Sequence, residues 1–152
     1  MSTIEKNIIL KVPAEHAFRY LSDPSHLTKF CSNMIEVSDV DGHLPALGKF
    51  GWVYKMMDAL IFGEAEFREP KHNQQLNIRF WGGIHGGIVW QFQHLDEDTL
   101  LVFKLDYSTP VPLLKKHTED TILRQSEHSV EHMLIRLKTL LETHYARTLN
   151  RV

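Results

Sequence analysis

Between residues 34 and 108, apolar and polar side chains alternate through six short runs parted by turn residues; from residue 118 the apolar spacing changes to three and four. Alternation of this kind predicts an antiparallel meander, and the later spacing predicts one amphipathic helix. The predicted strands are 34–40, 48–57, 60–69, 75–81, 87–94 and 99–108. Turns are expected at Asp41-Gly42 followed by Pro45, at Glu69-Pro70-Lys71-His72-Asn73, at the glycine-rich tract 82–87 and at Asp96-Glu97-Asp98. The helix runs from Thr118 to Thr148, with Thr118 as N-cap and with Glu119 and Asp120 facing the positive end of its dipole. Its stripe is Ile122, Val130, Met133, Leu134, Leu137, Leu140 and Leu141.

Ahead of the meander, Thr3 to Lys11 predicts a strand through Ile4, Ile8 and Leu10. Pro13 suits a first helical position, and Ala14, Ala17, Phe18 and Leu21 follow at helical spacing until Ser22-Asp23-Pro24 stops the helix. A second short helix, capped by Ser25, carries Leu27 and Phe30 inward.

These elements do not match in width. Seven strands about 4.8 Å apart make a sheet nearly 30 Å across, whereas one helix with its side chains covers about 10–12 Å. The expected architecture is therefore α+β: a curved seven-stranded antiparallel sheet around a long C-terminal helix, with two short helices after the first strand and a cavity between sheet and helix. Alternation names the face that looks into it. Phe50, Trp52, Tyr54 and Met56 point inward, opposite Lys49 and Lys55; so do Ile61, Gly63, Ala65 and Phe67, opposite Glu64, Glu66 and Arg68. The later strands contribute Leu76, Ile78 and Phe80, then Ile88, Trp90 and Phe92, then Leu101, Phe103, Leu105 and Tyr107. Leu60 and Phe62 fall outward, and the register between 57 and 63 stays open at this point.

In this order, the local sequences resemble the START/polyketide-cyclase (SRPBCC) superfamily. The similarity rests on Val12-Pro13-Ala14-Glu15-His16-Ala17-Phe18 leading to Leu21-Ser22-Asp23-Pro24, on Leu47-Gly48-Lys49-Phe50 opening a strand and on Glu69-Pro70 ending one. It continues in Trp90-Gln91-Phe92 before an acidic turn and in Leu134 to Leu141 of the last helix, and so covers nearly the whole chain. It implies the helix-grip fold and an apolar ligand pocket. Members include lipid and hormone carriers, quinone-binding proteins and aromatase/cyclases, so the fold alone assigns no function.

Composition narrows the function. Seventeen basic against nineteen acidic residues in 152, without long runs of either sign, offer no footprint for nucleic acid. No stretch reaches the length that spans a bilayer and no secretory signal opens the chain, so one cytoplasmic domain over 1–152 is expected, with no stable membrane insertion. The lone Cys31 forms no internal disulfide. No cofactor is indicated: the glycine tract lies between strands rather than before a helix, and Gly48-Lys49-Phe50 lacks the spacing of a phosphate loop. His128-Ser129-Val130-Glu131-His132 fits the H-x-x-E-H zinc pattern, yet on the helix His128 points away from the buried stripe and His132 sits at its margin; a solvated face is expected, with no metal.

The candidate ligand-binding residues are therefore Trp52, Tyr54, Ile61, Phe67, Ile78, Phe80, Trp90, Phe92, Phe103, Leu105 and Tyr107 of the sheet with Val130, Met133 and Leu137 of the helix. Trp52, Tyr54, Trp90 and Tyr107 each pair an apolar body with one polar tip, while Ser126 and Ser129 stand near the helix stripe. Binding or transport of a hydrophobic small molecule (a lipid, a quinone or a polycyclic, polyketide-like compound) is the leading expectation. An aromatase/cyclase with Tyr54 or Tyr107 as proton donor is the second, but the inner face lacks the Arg, Glu or His that such chemistry uses. A third is an interaction domain in which exposed Leu60 and Phe62 dock a partner, including a second copy as a homodimer.

Overall fold

The computed structural model describes residues 1–41 and 48–149. Seven antiparallel strands, β1 (Ser2–Leu10), β2 (Met34–Asp41), β3 (Lys49–Met56), β4 (Ala59–Lys71), β5 (Gln75–Gly82), β6 (Gly86–Leu95) and β7 (Asp98–Tyr107), form one sheet in the order β1-β7-β6-β5-β4-β3-β2. Helices α1 (Ala14–Leu21) and α2 (Leu27–Phe30) follow β1, and a short helix α3 (Val111–Leu114) precedes the long helix α4 (Glu119–Leu149). The α+β helix-grip arrangement is thus present, with the sheet curled around α4. The expected turn at Gly42 and Pro45, and Leu47 of the strand-opening motif, lie outside the described residues.

Local chemistry accounts for the boundaries. At the start of α4, the Thr121 backbone N–H donates to Thr118 Oγ1 at 3.1 Å, so Thr118 is the cap its side chain predicted. Asp23, rather than Ser25, caps the 3-10 turn Pro24–His26 that leads into α2: Ser25 N–H donates to Asp23 Oδ1 at 3.0 Å. With Pro24 fixed in the first position, the chain turns two residues earlier than the Ser25 cap implied. The strand predicted to end at Glu69-Pro70 continues to Lys71, because a bulge between Arg68 and Lys71 places Pro70 where no ladder N–H is needed and sets Glu69 at a φ of 46°. The register from 57 to 63 is closed by a two-residue turn: Met56 faces Ala59, Ile61 faces Tyr54 and Phe62 faces Val53. Leu60 and Phe62 accordingly stand outside, 61% and 68% exposed.

The interior has two halves. In one, Phe18 of α1 meets Phe92 of β6 edge to face at 5.5 Å, and Leu137 and Leu141 of α4 are fully buried. Lys138 Nζ donates to the Ile9 carbonyl at 2.7 Å and the Lys11 N–H donates to Glu142 Oε2 at 2.9 Å, tying this half of α4 to the end of β1. Thr99 Oγ1, also buried, donates to the Val12 carbonyl at 2.8 Å and fixes the exit from β1 against β7. In the other half, the N-terminal part of α4 stands off the sheet.

Two outcomes follow for stability. Leu137→Ala empties a fully buried position and should cost about 2–5 kcal/mol in urea unfolding. His16 of α1 stacks on His144 of α4 at 5.3 Å, and its pKa is lowered, first by burial and then by the His144 charge. The unfolded chain therefore binds this proton more readily, so the stability that neutral His16 contributes is whole above pH 6.5 and falls as pH drops below that value. His16→Gln should flatten this part of the stability profile, measured by thermal unfolding between pH 5 and 7.5.

Candidate ligand chamber

Where α4 stands off the sheet, a cavity of about 120 Å³ remains. Its sheet wall is Phe50, Trp52, Tyr54 and Met56 of β3, Ala65 of β4, Ile78 and Phe80 of β5, Ile88 and Trp90 of β6, and Phe103, Leu105 and Tyr107 of β7. Ser126, Ser129, Val130 and Met133 of α4 form the facing side, and Leu27, Cys31, Met34 and Ile84 close the ends. A polar recess of about 10 Å³ shares Tyr54, Met56, Ser126 and Ser129 with the chamber and adds Asn33, Lys55, Met57 and Gln125, so the chamber has a polar end between β3 and α4.

Ten of the sequence candidates meet here: Trp52, Tyr54, Ile78, Phe80, Trp90, Phe103, Leu105, Tyr107, Val130 and Met133. Ile61, Phe67, Phe92 and Leu137 are buried but do not line the chamber. Phe67 packs on Phe50 at 5.9 Å, and Phe92 and Leu137 belong to the half that α1 fills. Alternation predicts which side chains point inward, not how far along the sheet the helix presses home. Leu27 is an inward residue expected of α2, whereas Cys31, Met34 and Ile84 come from segments between regular strands or at a strand's edge, where no period marks them; Ile84, in the glycine tract, is only 7% exposed. Ser129 Oγ donates to the Gln125 carbonyl at 3.1 Å, the back-bond expected of a helical serine.

Two wall residues carry polar atoms that are enclosed and have no hydrogen-bond partner among the described residues, Trp52 Nε1 and Tyr107 Oη. Trp52 on β3 faces Gly63 on β4, and a Cβ at Gly63 would lie 2.7 Å from the indole Cζ2. Tyr107 on β7 faces Gly86 on β6, where a Cβ would come within 2.8 Å of Phe80 Cζ. Gly63 thus leaves room for the Trp52 ring and Gly86 for the Phe80 ring. A third unpartnered atom, His117 Nε2, is 3.6 Å from Asp58 Oδ1 and belongs to no wall of the chamber.

Electrostatically the chamber is quiet. No Lys, Arg, His, Asp or Glu lines it among the described residues. Burial raises the Tyr54 phenol well above its usual range, with smaller contributions from Cys31 and Tyr107, and burial likewise raises the Cys31 thiol. Both stay protonated at neutral pH, so Cys31 has no thiolate for nucleophilic attack. His26, close to Cys31 in sequence, is instead stacked on Tyr20 at 4.1 Å with Nδ1 2.7 Å from the Tyr20 carbonyl.

The H-x-x-E-H residues lie on the opposite side of α4. His128, Glu131 and His132 are exposed, Glu131 pairs with Lys6 at 3.3 Å, and no cluster able to hold a metal occurs among the described residues. No described helix is long and apolar enough to cross a membrane.

The sequence matches no protein-family model and no curated protein. Similar solved structures are numerous. One from Thermus thermophilus superposes with a TM-score of 0.81 at 17% identity, covering 94% of this chain and 99% of that one. A START superfamily protein from Mycobacterium smegmatis gives 0.77 at 14% identity over 93% of this chain and 97% of its own. The ZhuI aromatase/cyclase from Streptomyces sp. R1128 gives 0.71 at 14% identity over 97% and 95%. The fold is that of the START/polyketide-cyclase superfamily.

Proposed function

From this shared fold and the apolar chamber that it encloses here, we propose that the protein binds or carries a hydrophobic small molecule. The chamber itself supports this most directly: about 120 Å³ walled almost wholly by aliphatic and aromatic side chains. An engineered apolar cavity of about 150 Å³ takes up benzene, so this volume suits a body near one aromatic ring in size. Pockets for drug-sized molecules measure about 300–1,000 Å³; a lipid tail or polycyclic compound would have to extend into the recess beside Lys55 and Gln125 or part α4 from β3.

Burial of apolar surface at about 25 cal/mol per Å² supplies the driving force, offset by the entropy of association. Binding fits the wall better than turnover does. Acid–base catalysis works best with a group whose pKa lies near the ambient pH, and the Tyr54 phenol and Cys31 thiol are shifted the other way.

Toluene should bind saturably to the protein in ligand-observed NMR or calorimetry. Val130→Trp, which fills the chamber from α4, should weaken uptake at least about tenfold, with Ala65→Leu as a smaller plug from the sheet side. Uptake unchanged in folded plugged variants, or none by the native chain, would overturn the proposal.

A further inference from the structure

We propose that the chamber selects a ring compound carrying a neutral oxygen group such as a hydroxyl, and that the Tyr54 hydroxyl is the atom that recognises that oxygen. This rests on the ligand-binding function proposed above and goes on to specify the ligand's chemistry.

Tyr54 belongs to the chamber wall on β3, half-buried, between Met34 of β2 and Ile61 of β4 in the ladder. Its hydroxyl has no hydrogen-bond partner among the described residues, and it is not sealed in as Trp52 Nε1 and Tyr107 Oη are, so it keeps surface that another molecule can touch. After burial, the groups that act on it are Cys31 and Tyr107, both residues of the chamber, which puts the hydroxyl on the inner side of the sheet. The same burial keeps it protonated at neutral pH, and hence a donor. Tyr54 also borders the polar recess, so it stands where the apolar walls end.

The other hydroxyls at this end have partners nearer at hand. Ser129 Oγ is spent on the Gln125 carbonyl, and a helical serine such as Ser126 has the carbonyl one turn back as an alternative. A hydroxyl at the tip of a ring has no such recourse. A hydrocarbon lying over Tyr54 would strip water from the hydroxyl and return nothing, whereas an oxygen on the guest restores the bond while its ring meets the apolar walls. The volume of about 120 Å³ admits little more than one ring with such a group.

Phenol and toluene test this, because they differ in one place, a hydroxyl against a methyl group, and both are uncharged at neutral pH. Affinities of both for the native protein and for Tyr54→Phe can be compared by calorimetry, with unfolding midpoints confirming that the variant folds. Tyr54→Phe should lose about fivefold to tenfold in phenol affinity while toluene affinity holds or rises. In native protein labelled at the tyrosine ring Cζ carbons, the Tyr54 signal, identified by its loss in Tyr54→Phe, should move further on adding phenol than on adding toluene.

Equal losses for both compounds would mean that Tyr54 acts only by packing, and would overturn the inference. So would unchanged phenol affinity in the folded variant, or a Tyr54 signal that phenol moves no further than toluene does. If the native chain takes up toluene but not phenol, the inference fails and the binding function stands; if it takes up neither, both fail.

Discussion

Everything about this interior depends on how one helix is seated against a sheet more than twice its width. α4 is pressed home through Leu137 and Leu141, where α1 supplies Phe18 as a second layer and Lys138 and Glu142 bond to the end of β1. Between there and Ile122, which is fully buried near the start of the helix, the curled strands face Val130 and Met133 across open space. Close packing at one end and a void at the other are two results of the same mismatch. The void costs dispersion contacts that a fully packed core would make, which is tolerable because the other end is dense.

The chemistry of the wall follows from the strands that build it. Inward positions on a curled antiparallel sheet must be apolar for the fold to form, so the chamber inherits a lining with almost no charge. Polarity enters only as the tips of side chains that are otherwise hydrophobic. Trp52 and Phe80 fit because the glycines opposite them, Gly63 and Gly86, give up their own side-chain volume. In this way two glycines make space for two aromatic rings without placing a charge in the interior.

Most of this architecture is legible in the sequence because it is written in periods. Alternation identifies all six meander strands and the inward faces of the last five, and the three-and-four spacing identifies α4 with its Thr118 cap. All fourteen candidate residues follow from that alternation together with the helix stripe, and ten of them line the chamber. What the periods cannot carry is position along the third dimension. Phe92 and Leu137 point inward as predicted, yet sit in the half that α1 fills, and Phe67 packs behind Phe50 of the chamber wall. Ile84 reads as part of a hairpin tract, and its turn inward depends on tertiary contact rather than local pattern. The end of β4 escapes sequence reasoning for another reason: a bulge allows a proline inside a strand, and bulges leave little trace in a single sequence.

The two ends of α4 are fastened by different kinds of bond. The C-terminal half is held by buried leucines and by hydrogen bonds to β1 backbone, whereas the half over the chamber meets β1 through Lys6, which reaches Glu127 at 3.6 Å and Glu131 at 3.3 Å on the surface. Exposed ion pairs weaken as dissolved electrolyte rises, and apolar packing does not weaken in the same way. Salt therefore weakens the Lys6 pairs over the chamber and the Lys138–Glu142 pair alike, and leaves the buried contacts of Ile122, Leu137 and Leu141 in place.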